Sequence, residues 1–305
     1  MGSDHGPEVP VRGAVMALGE LPADVRLVLI GDESRILERL QAEGVGPERF
    51  EIVASRDDVT MKDSATRALQ SKPQSSIALG FGLLKEGRLD AFASTGNTGA
   101  MLVGSVLSVK PIPGVIRPCI CSIVPEENGD YGILLDVGAN ADCKPDVLYQ
   151  FGLLGALLAK HVYHIAEPKV ALLNIGEEEK KGNSVTLAAY ELMKEGGQYN
   201  FIGNIEGRDL FNGKADVVVC DGFTGNIVLK AVEAFHDLLK KRGVQEPFFD
   251  RFDYENYGGL PVLGVNGNVI IGHGISNAAT VKNMVLFTRE VVLSKLNDRI
   301  REALR

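Results

Sequence analysis

Short apolar runs rich in β-branched residues alternate along this chain with stretches of helical periodicity, and each of these runs stops at a glycine. Residues 25–30 stop at Gly31, and a helix is predicted over 33–41. Residues 90–94 stop at Gly96, followed by a helix over 100–109. Residues 132–137 stop at Gly138, followed by a long helix over 145–164. Residues 169–175 stop at Gly176, with a helix from about 184 to 194. Residues 216–220 stop at Gly222, with a helix over 226–241, and residues 269–271 stop at Gly272, with a last helix from about 277 to 304. Strands and helices that alternate at this spacing predict βαβ units and a largely parallel sheet covered on both faces. The runs ILLDV and VVVC barely alternate, as strands buried on both sides should. Neither a low-complexity linker nor an internal repeat interrupts the pattern. The expectation is one compact three-layer α/β/α unit over residues 1–305, with any lobe division left unplaced.

Composition agrees with a folded enzyme-sized unit. The 305 residues are 45% hydrophobic and 24% charged, and the 35 glycines suit a chain with many tight junctions. A net charge of −8 speaks against a broad nucleic-acid surface. The most apolar stretch, 151–159, falls far short of the ~20 residues that cross a bilayer. The opening run through Asp4, His5, Pro7 and Glu8 does not read as a secretory leader, and Pro7 suits a helix start. Four cysteines, Cys119, Cys121, Cys143 and Cys220, make no disulfide framework and read as reduced, buried thiols of a cytoplasmic protein.

Ligands of such sheets sit at the carboxyl ends of the strands. Function is therefore expected in STGNTG (94–99), DVGAN (136–140), NIGEEEKKGN (174–183), DGFTGN (221–226) and GHGISN (272–277). The dinucleotide fingerprint is missing, because Gly80-Phe81-Gly82 continues without a third glycine. A P-loop fails on spacing before Gly213-Lys214 and on Ala215 where a hydroxyl must bind magnesium. No zinc ligand spacing and no nucleophile elbow appear. What remains are backbone-amide anion sites at helix starts, where free N–H groups and the helix dipole favour negative charge. Residues 94–99 fit such a site, and equally a tight turn with an N-cap at Asn97 or Thr98. The acidic run 177–179 fits a solvated loop, whereas Lys180 and Lys181 stand where a phosphate could be neutralised. His273, between two glycines, fits close approach to a ligand or a hydrogen-bonded strand end. Cys220 precedes Asp221, whose charge opposes thiolate formation, so it reads as structural.

In order along nearly the whole chain, ASTGNTGA (93–100), LLDVGAN (134–140), LLNIGEEEKKGN (172–183), VVCDGFTGNIVLK (218–230) and YGGLPVLGVNGNVIIGHG (257–274) closely resemble the bacterial phosphate acyltransferase family. The resemblance implies an isocitrate/isopropylmalate dehydrogenase-like fold and a homodimer. It implies transfer of a fatty acyl group from acyl-[acyl carrier protein] to inorganic phosphate, giving acyl phosphate for phospholipid synthesis, with no cofactor and peripheral association at the inner face of the membrane. Members of the family open with an apolar strand leading into Asp-x-Met-Gly-Gly-Asp; Met1-Gly2-Ser3-Asp4 matches the inside of that motif, so a first strand before Met1 is expected. The family's helical excursion is expected to be shortened around 240–252, where Phe248 and Phe249 fit an exposed apolar tip or core packing.

This chemistry needs no protein nucleophile, because phosphate itself attacks. The site must supply position and oxyanion stabilisation. Gly96, Asn97, Thr98 and Gly99 are expected to bind phosphate through backbone and side-chain donors. Lys181, with Lys180 second, is expected to supply charge, Asn183 and Asn226 to orient thioester or phosphate, and His273 to shuttle a proton or donate to an oxyanion. Arg12, Lys62, Arg67 and Lys72 are candidates for docking an acidic carrier protein. Two other readings stay open: a phosphotransacetylase using acyl-coenzyme A, and a non-catalytic scaffold that holds carrier protein. A decarboxylating dehydrogenase would need a metal-binding carboxylate cluster and an arginine-rich loop, neither of which the sequence offers.

Overall fold

The computed structural model of the chain describes residues 2–3, 6–253 and 257–305; Asp4 and His5 of the opening run lie outside them. The fold is mixed α/β, and parallel strand pairings outnumber antiparallel ones. The chain gathers into two compact units, Met1–Lys110 with Tyr254–Leu293, and Pro111–Asp253 with Ser294–Arg305.

The first unit begins with α1 (Glu8–Leu18), β1 (Val28–Gly31), α2 (Glu33–Ala42), β2 (Glu51–Ala54), α3 (Ala65–Ser71), α4 (Ser76–Lys85), β3 (Ala91–Ser94) and α5 (Thr98–Gly104). Strands β1 and β2 pair in parallel. Val11 and Ala14 of α1 and Ile36 and Leu40 of α2 bury against Phe50 beside this pair. In the second unit lie β4 (Cys119–Pro125), β5 (Tyr131–Leu135), α6 (Pro145–His161), β6 (Lys169–Leu173), α7 (Ser184–Gly196), β7 (Asn200–Ile205), β8 (Val217–Val219), α8 (Gly222–Lys241) and α9 (Pro247–Asp250). The chain then returns to the first unit with β9 (Leu260–Leu263), β10 (Asn268–Ile271) and α10 (Ala278–Leu293), and ends in the second with α11 (Leu296–Ala303).

In the first unit β10 pairs in parallel with β3 and antiparallel with β9. Ser94 stands opposite Ile271, so the loops after β3 and β10 leave the sheet side by side. In the second unit the order is β4-β5-β8-β6-β7, parallel except for β4. Ile133–Leu135 and Val217–Val219 are buried on both faces, which is why their sequences do not alternate. Helix α6 packs across β5, β8 and β6. Its Phe151, Leu154 and Leu158 are fully buried, each worth roughly 1.5–3 kcal/mol.

Several elements lie outside the glycine-punctuated pattern: α1, β2, α3, α4, the antiparallel strands β4 and β9, and β7. The helix predicted over 277–304 breaks into α10 and α11 with Lys295 in a left-handed conformation (φ 51°), where no glycine or proline announces a break. The helix predicted from 226 starts at Gly222, capped by Asp221. The helix predicted over 100–109 starts at Thr98 and widens into a π turn over Ser105–Val109. Around 240–252 the aromatic residues pack: Phe248 and Phe249 are half-buried, and Phe248 meets Phe252 edge to face, as Phe252 meets Phe211, each pair 5.3 Å between centroids.

One close approach sets the second unit's carboxyl edge. The first turn of α8 lies directly on the loop after β5, and a Cβ at Gly225 would overlap the Asp136 carbonyl oxygen. A Cβ at Gly222 would stand 2.7 Å from the Asn140 carbonyl oxygen and the Asp136 carboxylate. Gly225→Ala is therefore expected to cost about 2–3 kcal/mol, seen as a lower urea midpoint; an unchanged midpoint would show that the approach is dispensable.

Candidate active site

The two loops of the first unit lie at the ends of neighbouring parallel strands. Gly272 N–H donates to the Ser94 carbonyl at 2.9 Å. Asn97 is the N-cap of α5: its Oδ1 accepts from Ala100 N–H at 2.9 Å. Its Nδ2 donates to the carbonyls of Thr60, Met61 and Asp63 at 3.0, 3.4 and 3.1 Å. At 7% exposure the Asn97 side chain is spent on the 60–63 loop, so the part of the expectation that gave it phosphate donors is replaced by a cap and a loop anchor. Gly96 N–H is taken by Ser94 Oγ at 3.1 Å. The N–H groups of Thr98 and Gly99, in the exposed first turn of α5, make no hydrogen bond among the described residues. They are the orphan donors of a helix start. His273 is exposed, and its carbonyl accepts from Ser276 N–H at 3.0 Å and Ser276 Oγ at 2.6 Å.

In the second unit Asp136 organises the carboxyl edge. It is fully buried, and its carboxylate accepts from the N–H groups of Ile120 at 3.1 Å, Ala139 at 3.2 Å and Asn140 at 2.6 Å, and from Asn140 Nδ2 at 3.0 Å. Asn140 Nδ2 also donates to the Pro118 carbonyl at 2.8 Å. Burial pushes the Asp136 carboxyl above its ordinary value, against the pull of these donors. Asn226, exposed in the first turns of α8, sits over Gly138, and its side chain makes no hydrogen bond among the described residues. Neither Asp136 nor Asn140 received a role from the sequence, although both lie in a quoted motif.

Lys180, Lys181 and Asn183 lie on one loop, between β6 and α7. Asn183 caps α7, its Oδ1 accepting from Val185 and Thr186 N–H at 2.9 Å each. Lys181 is half-exposed, with Nζ 3.9 Å from a Glu178 carboxylate oxygen. Lys180 is exposed and joins no hydrogen bond or ion pair among the described residues. The acidic run is an exposed loop, as expected, and two of its carboxylates are paired: Glu177 with Lys214 at 2.9 Å and Glu179 with Lys194 at 2.7 Å.

The four cysteines are free thiols. Burial pushes all of them up, Cys143 to about 12, so none is a ready nucleophile. Among the described residues no group of three or more His, Cys, Asp or Glu side chains is arranged to hold a metal ion. No helix among them is long and apolar enough to cross a membrane. Of the cations considered for docking, Arg12, Lys62 and Arg67 are exposed, whereas Lys72 is held by Asp63 and the Asp58 carbonyl, both at 2.8 Å.

The fold has known counterparts. A phosphotransacetylase from Streptococcus pyogenes matches with a TM-score of 0.71 at 18% identity, covering 94% of this chain and 92% of that one. The EutD phosphotransacetylase from Staphylococcus aureus matches with a TM-score of 0.63 at 15% identity, covering 93% and 92%. The fold is thus of the phosphotransacetylase type. In sequence, residues 1–246 match the family described as "Fatty acid synthesis protein". The phosphate acyltransferase of Halothermothrix orenii is 41% identical over 312 residues, covering 96% of this chain and 93% of the relative. That of Pelotomaculum thermopropionicum is 42% identical over 323 residues, covering 100% and 93%. The chain belongs to the phosphate acyltransferase family.

The raised carboxyl of Asp136 fixes a pH dependence. A group that binds its proton more tightly when folded adds stability fully present below its unfolded value, near 3.8, and lost as pH rises through the higher folded value. Asp136→Asn should abolish that part of the slope. It should also lower stability at neutral pH by about 2–3 kcal/mol, because one acceptor becomes a donor facing N–H groups. Urea midpoints of both proteins between pH 4 and 8 decide this; parallel profiles would remove Asp136 as the source.

Proposed function

We propose that this protein transfers a fatty acyl group from acyl-[acyl carrier protein] to inorganic phosphate, giving acyl phosphate for phospholipid synthesis. The observation that carries the reading is identity of 41–42% to phosphate acyltransferases over essentially the whole chain. A phosphate oxygen attacks the thioester carbonyl, the carbon–oxygen bond forms, and the carbon–sulfur bond breaks. The thiolate leaves and takes up the proton that phosphate gives up. A thiol of pKa about 8.5 leaves with little acid assistance. The protein's work is to place phosphate and to stabilise the oxyanion.

In this reading Gly96, Asn97, Thr98 and Gly99 form the phosphate-binding turn, Thr98 and Gly99 through their unpaired N–H groups and Asn97 by holding the turn in shape. Lys181, with Lys180 second, supplies positive charge to phosphate or the developing oxyanion. Asn183 and Asn226 orient the thioester or phosphate, Asn183 through the Nδ2 that its cap leaves uncommitted. His273 shuttles a proton or donates to the oxyanion. We place the protein in the cytoplasm, at the inner face of the membrane, as a homodimer of single-domain chains. The exposed row Phe223, Ile227, Phe235 and Leu238 along α8 supports the homodimer. Phe235→Glu combined with Leu238→Glu is expected to give a monomer in analytical ultracentrifugation; an unchanged sedimentation coefficient would remove this row from the interface.

The reaction is tested by mass spectrometry on long-chain acyl-[acyl carrier protein], inorganic phosphate and the protein. Phosphate-dependent release of carrier thiol together with acyl phosphate is the expected result. Reaction with acetyl-coenzyme A alone would favour the phosphotransacetylase chemistry of the structurally similar proteins, and carrier binding without turnover would favour a scaffold. Lys181→Ala should lower turnover by orders of magnitude while the circular dichroism spectrum and melting temperature stay those of the parent; near-normal activity would take Lys181 out of the reaction.

A further inference from the structure

Asn204, on β7, lies outside every motif that carried the sequence reading, yet it reaches the lysine loop. It is 4% exposed. Its Nδ2 donates to the Glu178 carbonyl at 2.9 Å, and its Oδ1 accepts from Asn174 Nδ2 at 3.1 Å. Asn174 Nδ2 also donates to the Lys181 carbonyl at 3.0 Å, and Asn174 Oδ1 accepts from Ile175 N–H at 2.9 Å. Lys181 N–H in turn donates to the Glu178 carbonyl at 3.1 Å. Residues 178–181 are therefore a β-turn with Glu179 and Lys180 at its centre. One carboxamide grips its first carbonyl and the other grips its last.

The clamp is built from below. Asn174 N–H donates to the Ile205 carbonyl at 2.8 Å, carrying the β6–β7 pairing up to the base of the turn. Gly182, at φ +105°, follows the turn, and a Cβ there would overlap Thr186 Oγ1 and stand 2.5 Å from Asn174 Oδ1. Only glycine lets the chain pass so close at that angle. Glu177 and Glu179 hold the outside of the turn through Lys214 and Lys194. A lysine on a free loop loses conformational freedom each time it engages an anion; a clamped turn has already lost it.

We propose that Asn204, together with Asn174, is a positioning residue that acts on the reaction through the backbone of the 178–181 turn and sets the place of Lys181. This rests on the charge role given to Lys181 above. Asn204→Asp keeps the size and the acceptor but removes the donor to the Glu178 carbonyl. It should reduce kcat/KM for phosphate about tenfold to a hundredfold in the parent, and have no further effect in a Lys181→Ala background. An equal loss in both backgrounds would mean that Asn204 acts elsewhere, and would overturn the proposal. Near-normal activity of Lys181→Ala would overturn it as well. Hydrogen exchange supplies a readout independent of activity: Asn204→Asp should speed exchange of the amides of residues 178–182 while those of β6 and α7 stay protected. Unchanged exchange would overturn the clamp even if the enzyme proved to run a different reaction. Asn174→Ser, at a less buried position, repeats each measurement should Asn204→Asp not fold.

Discussion

A strand that ends in a loop leaves backbone donors and acceptors with no ladder partner, and burying them unpaired is costly. In this protein one or two buried polar side chains at a junction satisfy that demand. Asn97 gives its amide to three carbonyls of the 60–63 loop and its oxygen to the start of α5. The Asp136 carboxylate collects four donors after β5. Asn174 and Asn204 grip the two ends of a turn after β6. Without these bonds the glycine-rich junctions would be loose chain, and the helices that follow them would start in no fixed place.

The same economy decides what is left to meet a substrate. Side chains that hold a loop together cannot also bind a ligand with the same atoms. After β3, the donors that remain are main-chain N–H groups, at Thr98 and Gly99. After β6, what remains are the ammonium groups of Lys180 and Lys181 and the Nδ2 of Asn183. Such parts do not attack anything; they hold charge in place. They suit a reaction in which the nucleophile arrives as a substrate and the leaving group is a thiol, where preorganised dipoles and a fixed cation supply most of what catalysis requires. The buried cysteines, all pushed toward the neutral thiol, fit that division of labour, since the protein contributes no sulfur of its own to the chemistry.

The strand–glycine–helix rhythm was legible in the sequence because parallel strands and their crossover helices impose it on apolar spacing. Elements that lack that punctuation were not. The antiparallel β4 ends at Pro125 with no glycine after it, β9 stops at Gly264 but leads into β10 rather than into a helix, and the break before α11 rests on a lysine in a left-handed conformation, which no residue type announces. At the candidate site the motifs marked the right loops, but residue type did not say whether a polar side chain points to a ligand or to its own backbone. Asn97 and Asn183 turned out to cap helices. Asn204 carried no mark beyond being a carboxamide in an otherwise apolar strand end. Its partners lie 26 and 30 positions away, and only the pairing of β6 with β7 brings them together.

Electrostatics shows the same dependence on the fold. Read along the chain, residues 177–181 hold three carboxylates and two ammonium groups, an acidic segment of an acidic protein. In the folded unit Glu177 and Glu179 are matched by Lys214 and Lys194, which come from other elements. With Asp209, which shares Lys214 at 3.3 Å, the turn and its partners balance, four carboxylates against four ammonium groups. Ion pairs at such an exposed position add little to stability. Their effect here is local: they occupy Glu177 and Glu179 with cations from other elements, so that Glu178, 3.9 Å from Lys181, is the one carboxylate of the run left beside the two lysines.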